Sequence, residues 1–270
     1  MCGLAALVTP DDAPDPADAP AVTDALRRRG PDGHGGWSGA HASLWSTRLA
    51  LWDEGRTTQP YAADGLAAAF NGELFNLPHL QRRLGMPGAA EIEVLAHGVA
   101  RLGPDFLREF DGQFAVVVVD ERTGRTVAGR DRMGICPLYT APVRTPAGRA
   151  GTAYASEPGA LRVLAPETFD WSPEGVADLL VDWAVPAPRT TWAGVAQVPS
   201  GTAVVHESGG PGAGVGWARP WGPPDASRPA APWDPDDPAA VDEVEALLRD
   251  AVHTRARSVG EVAVAVSGGV

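Results

Sequence analysis

The chemistry open to a residue depends on its place in the chain, and Cys2 directly follows the initiating methionine. Removal of Met1 would leave Cys2 with a thiol and a free α-amine. An α-amine has a reference pKa of ~7.7–8.0 and accepts a proton near neutral pH, while the thiolate is the nucleophilic form of cysteine. Cys2 would then supply both nucleophile and base for attack on a carbonyl carbon. A Met-Cys start alone is more often an ordinary buried cysteine, so this interpretation depends on the rest of the chain.

Attack on a carbonyl also needs hydrogen-bond donors for the oxygen that becomes negative. The side-chain amide of Asn71 and the backbone N–H of Gly72 follow a short apolar run, residues 66–70, and can point at one oxygen. Glycine permits the close backbone approach that such a site requires. The same Asn-Gly pair also predicts an ordinary turn at the end of a strand.

A charged substrate needs charged partners. Arg48 can pair with a carboxylate through both prongs of its guanidinium group. Glu91 and Glu93 open a predicted helix, and either could receive an ammonium group. Because two residues at this spacing do not share a helix face, at most one is expected to face a pocket. Taken singly, each of these charges is also consistent with a solvated surface residue.

Other polar groups are interpreted as structural. Arg130 and Asp131 follow a predicted strand pair and are typical of an internal ion pair or a turn. Cys136 has no neighbouring base in the sequence and is expected to be a buried thiol. The two cysteines form no CxxC or Cys/His cluster, so no metal site is expected.

Short apolar runs predict the elements that must position these residues. Strands are expected at residues 3–8, 66–70, 114–120, 126–129 and 152–155, with a turn over 120–124. Helical spacing of apolar residues is found at Ile92, Leu95, Val99 and Leu102. Weaker helical patterns cover residues 21–29 and 157–164. Strands flanked by helices, with hairpin links, indicate an α+β protein rather than a wholly parallel sheet.

The last part of the chain has a different composition. Residues 206–238 are dense in glycine and proline and are interpreted as a linker, because such a segment buries too little apolar surface to fold alone. An amphipathic helix is predicted from Val241, Val244, Leu248, Ala251 and Val252. A buried strand over residues 262–266 is expected next. The predicted organisation is a domain over residues 2–205, the linker, and the incomplete start of an α/β domain over 239–270.

Composition and charge limit the class of protein and the kinds of partner that can be expected. The chain has 270 residues, of which 44% are hydrophobic and 21% charged, as expected of a globular protein with a core. A net charge of −12 argues against a nucleic-acid or anionic-membrane surface. No apolar run approaches the ~20 residues that span a bilayer, and the N-terminus lacks a signal-peptide profile. A soluble, cytoplasmic protein without nucleic-acid or membrane partners is expected, and a homodimer is left open.

Taken in order, the motifs resemble the asparagine synthetase family of class II glutamine amidotransferases. Each motif is moderately specific, and their common order carries the resemblance. The matching segments are Met1-Cys2-Gly3-Leu4, Arg29-Gly30-Pro31-Asp32-Gly33, Arg48-Leu49-Ala50-Leu51-Trp52-Asp53 with Gln59-Pro60, Asn71-Gly72-Glu73-Leu74-Phe75-Asn76, Asp111-Gly112-Gln113-Phe114-Ala115, residues 130–139, Ala155-Ser156-Glu157, Val198-Pro199-Ser200-Gly201, Arg219-Pro220-Trp221 and Ser267-Gly268-Gly269-Val270.

The resemblance implies a four-layer αββα N-terminal-nucleophile hydrolase sandwich that hydrolyses glutamine. Cys2 would attack the side-chain amide of glutamine, and its own amine would shuttle the proton. Asn71 and Gly72 would form the oxyanion hole. The residues expected to hold glutamine are Arg48, Leu49, Leu51, Glu73 and Glu91.

The resemblance implies no cofactor for glutamine hydrolysis itself. Ser267, Gly268 and Gly269 are similar to the opening of a loop that grips the pyrophosphate of ATP, but the Asp and Ser that follow in the family are absent. In the full enzyme, ammonia would pass through a tunnel to an aspartyl-adenylate made with ATP and magnesium in a second domain. This chain alone is expected to hydrolyse glutamine at most.

One departure from the family pattern leaves alternatives open. Glu91 stands where the family has an aspartate that binds the glutamine ammonium, so its carboxylate reaches one methylene further. The change is consistent with normal binding, with weaker binding, or with another amide donor. Other interpretations are an amidotransferase for a peptide or secondary-metabolite acceptor, an amidase for a different amide, and a non-catalytic domain. The joint presence of Cys2, Arg48, Asn71 and Gly72 argues against the last.

Overall fold

The structure is a computed structural model that describes residues 2–9, 19–50, 58–144, 148, 150–207, 216–217, 237–256 and 263. The chain divides into two compact units. The first comprises residues 1–49 and 57–221, and the second comprises residues 50–56 and 222–270.

Two antiparallel six-stranded sheets form the centre of the first unit. One sheet has the strand order β10-β8-β9-β1-β3-β2, with β1 Gly3–Val8, β2 Gly33–Ser38, β3 Ala42–Arg48, β8 Tyr139–Arg144, β9 Ala150–Ala155 and β10 Ala196–Gln197. The other has the order β12-β11-β7-β6-β5-β4, with β4 Tyr61–Ala63, β5 Leu66–Leu74, β6 Gly112–Asp120, β7 Arg125–Arg130, β11 Ala203–His206 and β12 Gly216–Trp217. The strands predicted around residues 3–8, 114–120, 126–129 and 152–155 are confirmed.

The prediction of a turn at Asn71-Gly72 is wrong. Strand β5 continues through both residues to Leu74 and pairs with β6 along its whole length. Asn71 lies opposite Ala115, and Gly72 lies opposite Phe114. The many ladder hydrogen bonds and the buried contacts of β5 outweigh the local turn preference of an Asn-Gly pair.

Helices cover the outer faces of both sheets. Helices α1 (Ala19–Leu26) and α4 (Pro158–Leu164) pack on the first sheet, and α2 (Leu77–Leu84) and α3 (Glu91–Leu102) cover the second. The apolar stripe of α3 is buried at Ile92, Leu95 and Val99 as predicted, whereas Leu102 is exposed at the helix end. Together these elements form four layers in the order α, β, β, α, as the family resemblance implies.

Three apolar cores hold the layers together. One lies between α1, α4 and the first sheet, one between the sheets, and one between the second sheet, α2 and α3. Since both faces of each sheet are covered, strands such as β6 are buried along nearly their whole length, which suits their run of valines. Helix α5 (Pro173–Asp182), capped by the Ser172 hydroxyl, completes the first unit.

The second unit contains α6 (Pro238–Arg255), in the region where the sequence predicts an amphipathic helix. The Asp237 carboxylate caps this helix by accepting the N–H of Ala239 at 2.9 Å. Apart from residue 263, the strand expected over residues 262–266 lies outside the described residues, and so does most of the linker expected over 206–238. Among the described residues, no helix combines the length and apolar character that a bilayer crossing requires.

Candidate active site

At one end of the two sheets, the inner-face residues change from apolar to polar, and this end, formed by Cys2, Ser46, Arg48, Asn71 and Glu73, is called the mouth of the cleft. The core between the sheets includes alternate residues of four neighbouring strands: Leu4, Ala6 and Val8 of β1, Ala42 and Leu44 of β3, Ala67 and Ala69 of β5, and Ala115, Val117 and Val119 of β6. Because side chains alternate between the two faces of a strand, Cys2, Ser46, Arg48, Asn71 and Glu73 continue the same inner face. The charges of Arg48 and Glu73 both act on the Cys2 thiol, so these strand ends meet at the start of β1.

The Cys2 thiol is held by the backbone at the end of β3. Its Sγ accepts the N–H of Leu49 at 3.4 Å and lies 3.6 Å from the Leu49 carbonyl oxygen, to which it can donate. Burial raises the pKa of the thiol, and the Glu73 carboxylate acts in the same direction. The hydrogen bond from Leu49 and the Arg48 guanidinium oppose the rise in pKa without cancelling it. A thiol that keeps its proton near neutral pH needs a base beside it in order to react.

The segment from Arg29 to Asp32 packs against the backbone of Arg48. A side chain at Gly30 would collide with the backbone of Thr47 and Arg48, so only glycine permits this approach. Pro31 forms a parallel bridge with Arg48, and the Asp32 N–H donates to the Arg48 carbonyl at 2.9 Å. These contacts hold the end of β3, and with it Arg48, at the mouth of the cleft.

The side chain of Asn71 is fully buried, and neither its amide nitrogen nor its oxygen has a hydrogen-bond partner in the described part of the chain. The hydroxyl of Ser46, on the inner face of β3, is buried and without a partner in the same sense. Buried polar groups are nearly always paired, because an unpaired one costs ~1–3 kcal/mol. A buried amide left unpaired on the same inner face as the Cys2 thiol is suited to receive a ligand.

The edge of β5 that faces away from β6 presents backbone donors next to Asn71. The Phe70 N–H donates to the Gln59 side-chain oxygen at 3.0 Å, and the Leu74 N–H donates to the Glu91 carboxylate. Alternate N–H groups of a strand point to the same edge, so the Gly72 N–H between them points there too. A side chain at Gly72 would collide with the Gln113 carbonyl oxygen, which explains why glycine occupies this position.

The two glutamates of α3 have different contacts. Glu93, in the first turn of α3, accepts the Ala90 N–H at 2.9 Å and so caps this helix. Glu91 accepts the Leu74 N–H at the edge of β5, two residues from Gly72. Glu91 is therefore the one of the pair that lies beside the site, and at least one of its oxygens serves the backbone.

The residues interpreted as structural are confirmed as such. Asp131 is buried and accepts four backbone N–H groups, those of Phe114, Met133, Ile135 and Cys136, at 2.9–3.2 Å. The Arg130 guanidinium donates to three carbonyl oxygens, those of Gly134, Cys136 and Val198, at 2.7–2.8 Å. Cys136 is fully buried, and burial raises its pKa to about 12.

Contacts across the chain also reveal residues to which the sequence assigned no role. Arg29 donates from Nε to the Cys2 carbonyl oxygen at 3.0 Å and from Nη1 to the Glu157 carboxylate at 2.8 Å. The Ser156 hydroxyl accepts the Leu4 N–H at 3.2 Å. The only sequence signal for these residues is their presence in motifs of the resembled family. Leu51 and the residues Ser267, Gly268 and Gly269 lie outside the described residues.

A four-layer αββα sandwich whose cleft opens beside a cysteine at the second position has the architecture of an N-terminal-nucleophile hydrolase. Solved structures support this fold. The glutamine phosphoribosylpyrophosphate amidotransferase of B. subtilis aligns with a TM-score of 0.51 and 19% identity, over 76% of this chain and 47% of that one. The family model described as "Glutamine amidotransferase domain" matches residues 1–213. The chain belongs to this family of enzymes, whose substrate is glutamine.

Curated relatives are glutamine-hydrolysing asparagine synthetases. One from Oryza sativa subsp. japonica is 39% identical over 123 residues, which cover 42% of this chain and 20% of the relative. One from Bacillus subtilis is 33% identical over 127 residues, or 44% of this chain and 21% of the relative. A putative one from Mycobacterium bovis is 29% identical over 100% of this chain and 44% of its own length. The chain spans less than half the length of these relatives.

Proposed function

We propose that Cys2, freed of Met1, hydrolyses the side-chain amide of glutamine at the mouth of the cleft. The observation that carries this proposal is the fully buried Asn71 amide, which has no partner among the described residues and lies on the same inner face as the Cys2 thiol. An oxyanion that forms when the thiol attacks would accept hydrogen bonds from Asn71 Nδ2 and from the Gly72 N–H. Donors already fixed in the fold need no reorganisation during the reaction and are therefore effective.

The proposed reaction has two stages. In the first, the α-amine of Cys2 takes the thiol proton, and the sulfur bonds to the amide carbon as the carbonyl electrons move to oxygen. Collapse of this intermediate breaks the C–N bond, and the nitrogen leaves as ammonia with the proton from the amine. In the second, water adds to the thioester with the amine again as base, the C–S bond breaks, and glutamate and the thiol are released.

Glutamine carries a carboxylate and an ammonium group that need opposite charges. Arg48 is proposed to bind the carboxylate, since it faces the cleft at the end of β3 and its backbone is held by residues 30–32. Glu73 is proposed to bind the ammonium group because its charge already acts on the Cys2 thiol. Glu91 would contribute from the edge of β5, and Leu49 contributes through the N–H that holds the Cys2 sulfur. The proposed role of Leu51 in holding glutamine rests on the family resemblance alone.

In the whole protein, we propose that the released ammonia converts aspartate to asparagine at the expense of ATP, with magnesium. The names of the relatives support this acceptor, and the motif at Ser267, Gly268 and Gly269 supports ATP as the second substrate. A cytoplasmic location follows from this metabolic role. The full-length protein should form asparagine from glutamine, aspartate and ATP, whereas the 270-residue chain should form none.

Ammonia release from glutamine tests the first part. The purified chain and its Cys2→Ala variant are compared, and the mass of the N-terminal peptide is measured in the same samples. Ammonia release by the processed Cys2 protein alone supports the nucleophile. A processed, folded Cys2 protein that is no more active than Cys2→Ala would contradict catalysis by this chain on its own.

A further inference from the structure

The main chain of Cys2 is tied to α4 through two side chains. Arg29, just after α1, donates from Nε to the Cys2 carbonyl oxygen at 3.0 Å. The same guanidinium donates from Nη1 to the Glu157 carboxylate at 2.8 Å. Glu157 directly precedes α4 and lies 128 positions after Arg29 in the chain, so this contact exists only in the folded protein.

A nucleophile at the end of a chain lacks the support that an internal residue has on both sides. Strand pairing with β3 begins at Gly3, and pairing with β9 begins at Ala5. Ser156, just after β9, also holds Leu4. Its hydroxyl accepts the Leu4 N–H, and its own N–H donates to the Leu4 carbonyl oxygen. On that side of the chain, the carbonyl of Cys2 is held by a side chain, Arg29, instead of a strand.

Glu157 determines where the Arg29 guanidinium lies. A guanidinium is a rigid planar fork, so fixing Nε and Nη1 fixes the whole group. Its third nitrogen, Nη2, is buried and has no partner in the described part of the chain. A neutral side chain at position 157 would lose the charge that strengthens the hydrogen bond from Nη1, and the guanidinium group would then turn more readily toward water and away from Cys2. The Arg29 side chain is 14% exposed and that of Glu157 is 40% exposed, so solvent lies within reach.

We propose that Glu157 is a positioning residue for the N-terminal nucleophile and acts through Arg29. The pair holds the Cys2 carbonyl while Leu49 holds the sulfur, which leaves the α-amine in one place relative to both. A base that shuttles a proton must stay within hydrogen-bond reach of the thiol at each step. This inference rests on the proposed role of Cys2, but the placement of the residue can be measured without any turnover.

The kinetic test uses Glu157→Gln, with Glu167→Gln as the matched control. Glu167 is an exposed glutamate in the turn that follows α4, so the same chemical change is made away from Cys2. We expect Glu157→Gln to lower kcat for ammonia release about 10-fold or more, since misplacement by about 1 Å can cost 100-fold, and to leave KM within twofold. Glu167→Gln should match the wild type. An unchanged kcat in Glu157→Gln overturns the proposal.

Non-additivity tests whether Glu157 acts through Arg29. Arg29→Lys keeps the charge but cannot hold both partners with one planar group. The kcat of the double variant Arg29→Lys/Glu157→Gln should lie within twofold of the kcat of Arg29→Lys alone. Independent effects that multiply would show that Glu157 does not act through Arg29.

Alkylation by iodoacetamide, followed by peptide mass spectrometry, tests placement even in a protein without turnover. A loosened N-terminal residue should expose its sulfur, so Cys2 in Glu157→Gln should react several-fold faster than in the wild type. Cys136 is fully buried and reports on the global fold in the same sample. Faster reaction at Cys2 with Cys136 still protected supports the inference even if the wild type releases no ammonia. Parallel gains at both cysteines, or none at Cys2, would show that Glu157 has no specific positioning role.

Discussion

The mouth of the cleft and the turn over residues 130–136 both contain buried polar groups close to a cysteine, yet the hydrogen bonding of those groups differs. In the turn, Asp131 satisfies four backbone N–H groups and Arg130 satisfies three carbonyls. At the cleft, the Asn71 amide, the Ser46 hydroxyl and Arg29 Nη2 are buried without partners in the described part of the chain.

The difference separates polar groups that stabilise the fold from those that serve a ligand. A fully paired cluster lowers the free energy of the folded state, whereas an unpaired buried group raises it. A fold retains unpaired groups at a site where a bound molecule supplies the missing partners. The comparison therefore predicts that mutations at the mouth of the cleft lower activity more than stability, and that mutations in the turn lower stability more than activity.

Asn71→Ala should produce the largest change, in activity. Loss of one oxyanion donor lowers kcat by about 100- to 1000-fold. Because the amide has no hydrogen bond within the described fold, the free energy of unfolding should fall by no more than about 1 kcal/mol, or rise. Urea unfolding and ammonia release are measured on the same preparation. A large loss of stability together with activity would place Asn71 among the structural residues.

Asp131→Asn should give the opposite result. An amide in place of the carboxylate turns an NH₂ group toward backbone N–H donors, which should lower the free energy of unfolding by about 3 kcal/mol. The folded fraction should keep ammonia release within about threefold of the wild type, since the turn supplies no group to the proposed reaction. Normal stability with a large drop in kcat would mean that the turn belongs to the site.

A further pair of buried polar residues, Tyr154 and His206, lies between the sheets. This pair predicts how the stability of the fold depends on pH. Tyr154 of β9 lies 2.7 Å from Nε2 of His206 in β11, with Thr126 of β7 beside it and the exposed Arg125–Glu207 ion pair nearby. Burial lowers the pKa of His206 to about 4 and raises that of Tyr154. The imidazole is therefore neutral and shares a hydrogen bond with the Tyr154 hydroxyl.

Between pH 6.5 and about 4, the unfolded chain binds a proton at His206 that the folded protein does not. Stability from this residue is present above pH 6.5 and is lost as pH falls, up to roughly 3 kcal/mol. Urea unfolding from pH 7.5 to 5 should show this slope in the wild type. The double variant Tyr154→Phe/His206→Leu should show a flatter slope, and an equal slope would assign the pH dependence to other groups.

The smallest effect is expected at the second cysteine. Cys136→Ala removes a fully buried sulfur and should cost about 1 kcal/mol of stability without changing ammonia release. In native Cys2→Ala protein, Cys136 should resist a thiol reagent, because burial raises its pKa to about 12. Rapid labelling there would show that the turn opens in solution.

Much of the fold could be predicted because its signals are local. The apolar runs of β1 and β6 and the helical stripe of α3 are visible in short windows of sequence. Strands β2 and β3 were not predicted, because residues 33–48 mix glycine, serine and apolar residues without a clear alternation of apolar and polar positions. They are strands because β3 pairs with β1 on one side and with β2 on the other.

By itself, the sequence determined which functional groups are available for chemistry. A cysteine at position 2, an Asn-Gly pair and Arg48 carry the groups of a nucleophile, of oxyanion donors and of a carboxylate partner, which are the roles proposed for them. Tertiary structure alone decided which groups meet: Glu91 with the Leu74 N–H, and Glu157 with Arg29 and, through it, Cys2. The physical reason is that functional groups are properties of single residues, whereas contacts between residues 27 or 128 positions apart depend on how the sheets pair and pack.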